Sequence, residues 1–512
     1  MNRIVIIGGG ISGHRLLIDL LSFKQAAYEI TLIEQDNDFL ATLSNSSTIL
    51  DSASPSSNGS NLIEANGVRI LDKSKAVVVD RLNKIVYLDN DFQVPYDKLI
   101  LGLGATPLFR GANDLLKTRV IDVNQKYDKS ELLELVNTAR TAAIVGGGIY
   151  GLDASIFLNS HGIKVQIFEE NSALLYDETQ AGILSDGATT ALSQLLKRAN
   201  IIVNTSTTVK EVVNRTRTST TGTPLRTHAA LKLSDGRTID TDLAVIASKA
   251  SFTNTIRFDP EINIDDRGYK IHNSCRLICD RDIYAIGGCA SRDTNLSHDR
   301  ASFYETSFSL ARSLITGQEN LAPRAATIRI NSKDLSLAIC SLTTPACDTK
   351  CDSNMLELNN NVKASYKGLR YDSKNRLQSG VLIGDTSGVG TLFHMMENWG
   401  LDPDPDELLF GTGVPELFTT QKMELNDKIC MCNTVTLGEI NEVLLQNHKV
   451  TESSKTKGDL LKKVAFTTRA TTGCGSCVAQ ISAIIAEFTD ASMASNESGQ
   501  FHRVLVGSVP ST

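Results

Sequence analysis

Four of the ten cysteines stand in two close pairs near the carboxy end, Cys430-Met431-Cys432 and Cys474-Gly475-Ser476-Cys477. Four thiolates brought together can close a tetrahedral zinc site or hold a [2Fe-2S] cluster, and spacing alone leaves both open. The other six read differently. Cys275, Cys279 and Cys289 flank a short apolar run at 283–286, and Cys340, Cys347 and Cys351 lack paired spacing and fall in or beside a loop. Free cysteine is a common core residue, so both groups are expected to be structural.

A second kind of chemistry is carried by glycines. The run Gly8-Gly9-Gly10-Ile11-Ser12-Gly13 follows four apolar residues, and Gly146-Gly147-Gly148-Ile149-Tyr150-Gly151 follows another four. Such a turn binds a pyrophosphate on free backbone N–H groups at the positive end of a helix dipole. Gly8 permits the tight turn, Gly10 lets the backbone approach the phosphate, and Gly13 lets helix and strand pack closely. Each turn needs a strand before it, a helix after it and a second strand ending in an acid. Both have this context. Leu16, Leu17, Leu20 and Leu21 follow the first turn at helical spacing, and the strand at 30–33 ends at Glu34; the helix at Leu152-Asp153-Ala154 follows the second, and the strand at 165–168 ends at Glu169. Two units imply two dinucleotides. Glu34 and Glu169 are placed to accept hydrogen bonds from ribose hydroxyls, and the charge of Glu169 disfavours a 2′-phosphate, so NADH is preferred to NADPH.

The elements that must position these residues belong to a chain of 512 residues, long enough for three or four domains. It is 41% hydrophobic and 21% charged, as soluble globular chains are. A net charge of −7 gives no electrostatic footprint for nucleic acid. The amino terminus, MNRIVIIGGG, reads as neither secretory signal nor membrane span. A cytoplasmic location is therefore expected, in which cysteines serve metal or redox chemistry more often than disulfides.

The order of the two units resembles the two-dinucleotide flavoprotein reductases, in which FAD occupies the first and NAD the second. The segment from Tyr96 to Pro107, Y-D-K-L-I-L-G-L-G-A-T-P, looks like the return strand of that family, and 282–287, D-I-Y-A-I-G, looks like its second FAD motif. The resemblance covers roughly residues 1–320 and implies cofactor contacts at Gly8, Gly10, Ser12, Gly13, Glu34, Gly104 and Gly287 for FAD, and at Gly146, Gly148, Gly151 and Glu169 for NADH. The segment from Leu377 to Asp385 resembles the interface domain. The C-M-C-N-T-V start and T-G-C-G-S-C finish resemble the BFD-like [2Fe-2S] domain, which implies cluster ligands at Cys430, Cys432, Cys474 and Cys477. The expected fold is α/β, with two nested Rossmann-like FAD and NAD domains, an α+β interface domain and a small helical BFD-like domain. The boundaries are 1–111 and 246–320 for FAD, 112–245 for NAD, 321–425 for the interface and 426–490 for the cluster domain, with a tail at 491–512.

This order matches the front half of NADH-dependent assimilatory nitrite reductase large subunits and the electron-transfer subunits of assimilatory nitrate reductases. The resemblance implies that hydride passes from NADH to FAD and that electrons leave through the cluster to a nitrate or nitrite reductase catalytic subunit. No cysteine follows Cys477, so the sirohaem portion of the nitrite enzyme is expected to be absent and the acceptor to be another polypeptide. No catalytic side chain is implied beyond the cluster ligands. A rubredoxin or ferredoxin reductase, and a scaffold subunit with a degenerate FAD site, are the alternatives.

Three departures from the family pattern bear on the last alternative. The A-T-G of the return strand is Gly102-Leu103-Gly104, the Asp that usually follows Gly287 is Gly288, and the Ser/Thr/Asn-rich run at 42–61 carries no basic residue. Residues 36–60 also contain no cysteine, which disfavours disulfide-reductase chemistry. Three loop expectations complete the reading: 216–227 is an exposed loop, 402–406 is a solvated linker, and 450–459 is an insertion within the cluster domain.

Overall fold

The computed structural model describes residues 2–22, 28–35, 68–104, 119–123, 129–175, 184–218, 224–247, 252, 254–262, 264–265, 268–291, 300–319, 325–331, 335–342, 354–386, 388–389, 392, 395–396, 409, 425, 428–430, 435–448, 457–468, 470–471 and 477–495. The expectations for 42–61 and 402–406, and those for Cys347, Cys351, Cys432 and Cys474, lie outside the described residues.

Apolar runs without alternation form parallel strands buried on both faces. In the first unit β1 (Asn2–Ile7) lies between β2 (Tyr28–Ile33) and β7 (Lys98–Leu101), and β3 (Arg69–Leu71) and β19 (Ile283–Ala285) complete the sheet. The order is β19-β7-β1-β2-β3, with every pairing parallel. Helix α1 (Ile11–Ser22) packs against the later helix α5 (Arg300–Thr316). The second unit repeats the plan. Strands β9 (Thr141–Val145), β10 (Lys164–Phe168), β11 (Ile202–Asn204), β15 (Leu243–Ile246) and β8 (Val120–Asp122) form a parallel sheet of order β11-β10-β9-β15-β8. Its helices are α2 (Lys129–Thr138), α3 (Ile149–Ser160) and α4 (Asp186–Arg198).

The nesting is visible in the packing. One apolar core joins Ile4, Ile6, Leu99 and Ile100 to Phe258, Tyr269, Ile283 and Ile286. Ion pairs stitch the same two stretches together: Arg81–Asp280 at 2.9 Å, and Lys84–Asp282 and Lys98–Asp282 at 2.6 and 2.8 Å. A small sheet, β4 (Ala76–Asp80), β5 (Ile85–Leu88) and β6 (Gln93–Pro95), takes β16 (Arg257–Asp259) as its edge. Strands β17 (Ile264–Asp265), β18 (Gly268–Lys270) and β20 (Ala290–Ser291) form another.

The stretch 216–227, expected as a loop, is mostly hairpin. Strands β12 (Val209–Thr218) and β13 (Pro224–Leu233) pair antiparallel through Thr216↔Thr227 and Arg217↔Arg226, and β14 (Thr238–Thr241) adds a third strand. Valine and threonine are strand formers, and their recurrence through 209–218 outweighs the polar character that suggested a loop.

Beyond residue 320, five antiparallel strands form a sheet of order β21-β22-β25-β24-β23. They are β21 (Ala325–Asn331), β22 (Ser336–Leu342), β23 (Asn354–Asn360), β24 (Ser365–Tyr371) and β25 (Leu377–Ile383). One face shares a core with the second dinucleotide unit, where Leu337, Tyr366 and Ile383 meet the residues of α4. The Tyr366 hydroxyl lies 2.9 Å from Ser185 Oγ and donates to Glu357 Oε1 at 2.7 Å. The other face has its own cluster, with Cys340 fully buried in β22. Cys340 is thus a core residue within a strand.

The last region has a core of its own. Strands β26 (Lys428–Cys430) and β27 (Val435–Thr436) precede helices α6 (Leu437–His448), α7 (Lys457–Thr468) and α8 (Val478–Ser495). Thr436 and Glu439 form a capping box at the start of α6: Glu439 Oε2 accepts from Thr436 N–H at 2.8 Å, and Thr436 Oγ1 from Glu439 N–H at 3.3 Å. Residues 457–459, read as part of an insertion, are the first turn of α7, and α8 runs through residue 490 to Ser495. No helix among the described residues is long and apolar enough to cross a membrane.

Candidate functional site

The two glycine turns are near copies. Gly8 has φ +101° and Gly146 φ +105°, the left-handed region that a side chain rarely adopts. A Cβ on Gly13 would lie 2.0 Å from Gly8 O, and one on Gly151 1.9 Å from Gly146 O. Helix and strand therefore meet with no room for a methyl group. A Cβ on Gly10 or Gly148 would meet nothing within 4 Å. The third glycine of each turn thus borders open space where a phosphate fits, and the backbone can approach it.

The acids at the strand ends are buried and turned onto these turns. Glu34 Oε2 accepts from Gly9 N–H at 2.5 Å, and Glu169 Oε2 from Gly147 N–H at 2.6 Å. Both carboxylates are about one-twentieth exposed. Glu169 is held further: its Oε1 accepts from Asn171 N–H at 2.8 Å and from Asn171 Nδ2 at 2.7 Å. The segment 169–171 is laced to the next strand by Glu169 N–H to Asn204 O and Ser206 N–H to Asn171 O. Leu174 then folds over the turn, so that a Cβ on Gly147 would lie 2.4 Å from Leu174 Cδ2. Asn171 and Leu174 escaped the sequence reading. The signal available was an asparagine two residues past a strand-end acid, where such side chains commonly bond back to local backbone.

The first turn is enclosed by remote chain instead. A Cβ on Gly8 would lie 2.4 Å from Gly102 O, so the return strand passes directly over it. A Cβ on Gly287 would lie 2.3 Å from Ser12 Oγ, which puts the second motif against the first turn of α1. Ser12 is itself buried. Gly287 begins a short 3-10 turn, Gly287–Cys289, in which Gly288 stands where the family pattern has an acid. Gly8, Gly10, Ser12, Gly13, Gly102 and Gly287 are thus gathered into one wall. Gly104 ends the described part of the return turn, with φ +72° and open space where its Cβ would be. Glycines line the open parts of this wall, which fits a bound dinucleotide.

In the last region Cys430 and Cys477 are both buried, at the end of β26 and just before α8, in one apolar core. Thiols that the fold draws from both ends of the domain into one interior fit a shared cluster; Cys432 and Cys474, expected as its other ligands, lie outside the described residues. A soft, all-sulfur donor set suits [2Fe-2S] or zinc.

Comparison with known proteins agrees with this layout. The family Pyridine nucleotide-disulphide oxidoreductase matches residues 2–311, and the BFD-like [2Fe-2S] binding domain matches residues 428–487. The chain is 25% identical over 501 residues to the nitrite reductase (NADH) large subunit of Escherichia coli (strain K12), covering 94% of this chain and 55% of that one. It is 23% identical over 492 residues to the assimilatory nitrate reductase electron transfer subunit of Bacillus subtilis (strain 168), covering 93% and 58%. The chain thus spans about half the length of these relatives. Among solved structures, the NAD-dependent persulfide reductase of A. fulgidus superposes with a TM-score of 0.60 at 16% identity, over 78% of this chain and 79% of that one. The covalent putidaredoxin reductase–putidaredoxin complex gives 0.58 at 15%, over 80% and 95%. Twin glycine turns, the nested parallel sheets and these matches lead to one statement: the chain belongs to the pyridine nucleotide-disulphide oxidoreductase family and ends in a BFD-like [2Fe-2S] binding domain.

Proposed function

We propose that this protein is a cytoplasmic NADH-dependent flavoprotein reductase that sends electrons through a carboxy-terminal [2Fe-2S] cluster to a separate catalytic subunit of nitrate or nitrite reduction. The observation that carries the reading is the pair of near-identical pyrophosphate turns followed by a domain with two buried cysteines of a four-cysteine set. FAD bound at the first turn supplies a hydride-accepting ring, and the cluster supplies a one-electron exit.

The residues of the chain bind and orient. Gly8, Gly10 and Gly13 shape the FAD turn, with Ser12, Gly104 and Gly287 closing it and Glu34 as the ribose acid. Gly146, Gly148 and Gly151 do the same for NADH. Glu169, held on Gly147 N–H and Asn171, meets the adenosine ribose and repels a 2′-phosphate. Cys430, Cys432, Cys474 and Cys477 ligate the cluster. No side-chain acid or base is assigned, since hydride moves directly between the two cofactors when they are held in contact.

The acceptor is assigned from the nitrite and nitrate reductases that the chain resembles along 93–94% of its length. The test is reconstitution with candidate acceptors. NADH-driven reduction of a nitrate or nitrite reductase catalytic subunit, and none of a rubredoxin or ferredoxin, is the expected result. The reverse pattern overturns the acceptor. Protein purified with neither flavin nor iron overturns the whole reading and leaves a scaffold subunit.

A further inference from the structure

We infer that Cys289 is a positioning residue of the flavin site, its thiol clamping the return turn at 101–104 to the second FAD motif at 286–288. The inference rests on the reading that FAD occupies the first dinucleotide unit. Strands β7 and β19 run side by side to the pair Ala285↔Leu101, and Ile286 N–H donates to Leu101 O at 2.9 Å. Past that point the ladder stops. Both chains turn through a left-handed glycine, Gly104 and Gly287, each with φ +72°. These two turns are the ones that wall the cofactor space beside Ser12 and Gly8.

Cys289 Sγ stands at the place where the ladder gives out. It is fully buried and lies 3.3 Å from both Leu101 O and Ile286 O, so its S–H proton is shared between one carbonyl from each strand. Burial pushes the thiol up to about 11, so it remains a proton donor at neutral pH.

The sequence makes this clamp matter. Where the family pattern has a threonine in the return turn and an acid after Gly287, this chain has Leu103 and Gly288, neither with a side-chain hydrogen-bonding group. The shape of the two turns then rests on backbone, on Ser12 beside Gly287 and on the Cys289 thiol between them. A buried cysteine that merely filled space would be replaced as well by valine as by threonine, two side chains of nearly equal size. A clamp would not.

The experiment compares FAD affinity of the full-length wild type, Cys289→Ala and Cys289→Ser, each stripped of flavin and titrated by fluorescence quenching, with NAD+ binding by calorimetry as a control for folding. Cys289→Ala is expected to weaken FAD about 10-fold and to shift the visible bands of the bound flavin, while Cys289→Ser stays within about 3-fold of wild type with its bands in place. NAD+ affinity stays unchanged in all three. If Cys289→Ala loses NAD+ binding as well, Cys289→Val and Cys289→Thr, nearly equal in size, carry the same contrast of a lost against a kept hydrogen bond. Alanine equal to wild type, or a hydroxyl variant as weak as its apolar partner, overturns the clamp. Wild-type protein that takes up no FAD contradicts the flavoprotein reading itself.

Discussion

The two dinucleotide turns share their backbone geometry to within a few degrees and tenths of an ångström, yet they are enclosed in different ways. The turn at Gly8 is covered by chain that arrives from far away: Gly102 lies over it, and Gly287 packs on Ser12. The turn at Gly146 is lined by the seven residues that follow its own second strand, with Asn171 locking Glu169 and Leu174 resting on Gly147. A cofactor walled by remote segments leaves only when those segments part. A cofactor held by one local unit comes and goes with little rearrangement. On the proposed assignment of FAD to the first turn and NADH to the second, the contrast suits a cofactor that is kept and one that is exchanged.

That contrast can be broken at its strongest point by closing each turn. Gly13→Ala places a methyl group against Gly8 O and is expected to yield protein without flavin, read as a lost visible spectrum. Gly151→Ala does the same against Gly146 O, keeps its flavin and raises KM for NADH about 100-fold. Loss of flavin in both variants would mean that the two units do not bind independently.

Next in size is Cys430→Ala. Its domain has a separate apolar core, so iron content and reduction of the protein acceptor are expected to vanish while NADH still bleaches the flavin at the wild-type rate. Full acceptor reduction without iron would rule out the exit route.

A smaller effect sharpens the NADH side. Asn171→Ala removes one of the three hydrogen bonds on the Glu169 carboxylate, and KM for NADH is expected to rise about 5-fold at unchanged kcat and flavin content. The preference over NADPH falls with it.

The smallest concerns stability. A hydrogen bond from the Arg3 guanidinium, together with the Arg3 backbone N–H, holds the Asp97 carboxyl down at about 2. A depressed carboxyl contributes stability above its unfolded value near about 4 and loses it as pH falls through about 2. The difference in Tm between wild type and Asp97→Asn is therefore expected to be small at neutral pH and to close between these limits.

Much of this layout was legible in the residues. The Gly8 and Gly146 turns carry their strand, helix and acid at fixed offsets, so local sequence sufficed, and the BFD-like ends are short and distinctive. What escaped depends on contacts made at a distance or on competing propensities. Gly102 lies over Gly8 from 94 positions away, and Cys289 reaches Leu101 across 188 positions; no periodicity reports such pairs. The hairpin at 216–227 was hidden because threonine and arginine read as loop by polarity while threonine also favours strands. Asn171 is marked in the sequence only by its place two residues past Glu169, and its two bonds to that carboxylate arise in the fold.

One polypeptide is proposed to carry a nicotinamide site, a flavin site and an iron site in working order. Anaerobic titration of the purified protein with NADH, followed by visible absorption, tests it directly. Flavin bands are expected to bleach at substoichiometric NADH, the iron–sulfur shoulder to follow, and NADPH to be far less effective. A protein with neither band, or one whose flavin stays oxidised in excess NADH, would contradict it.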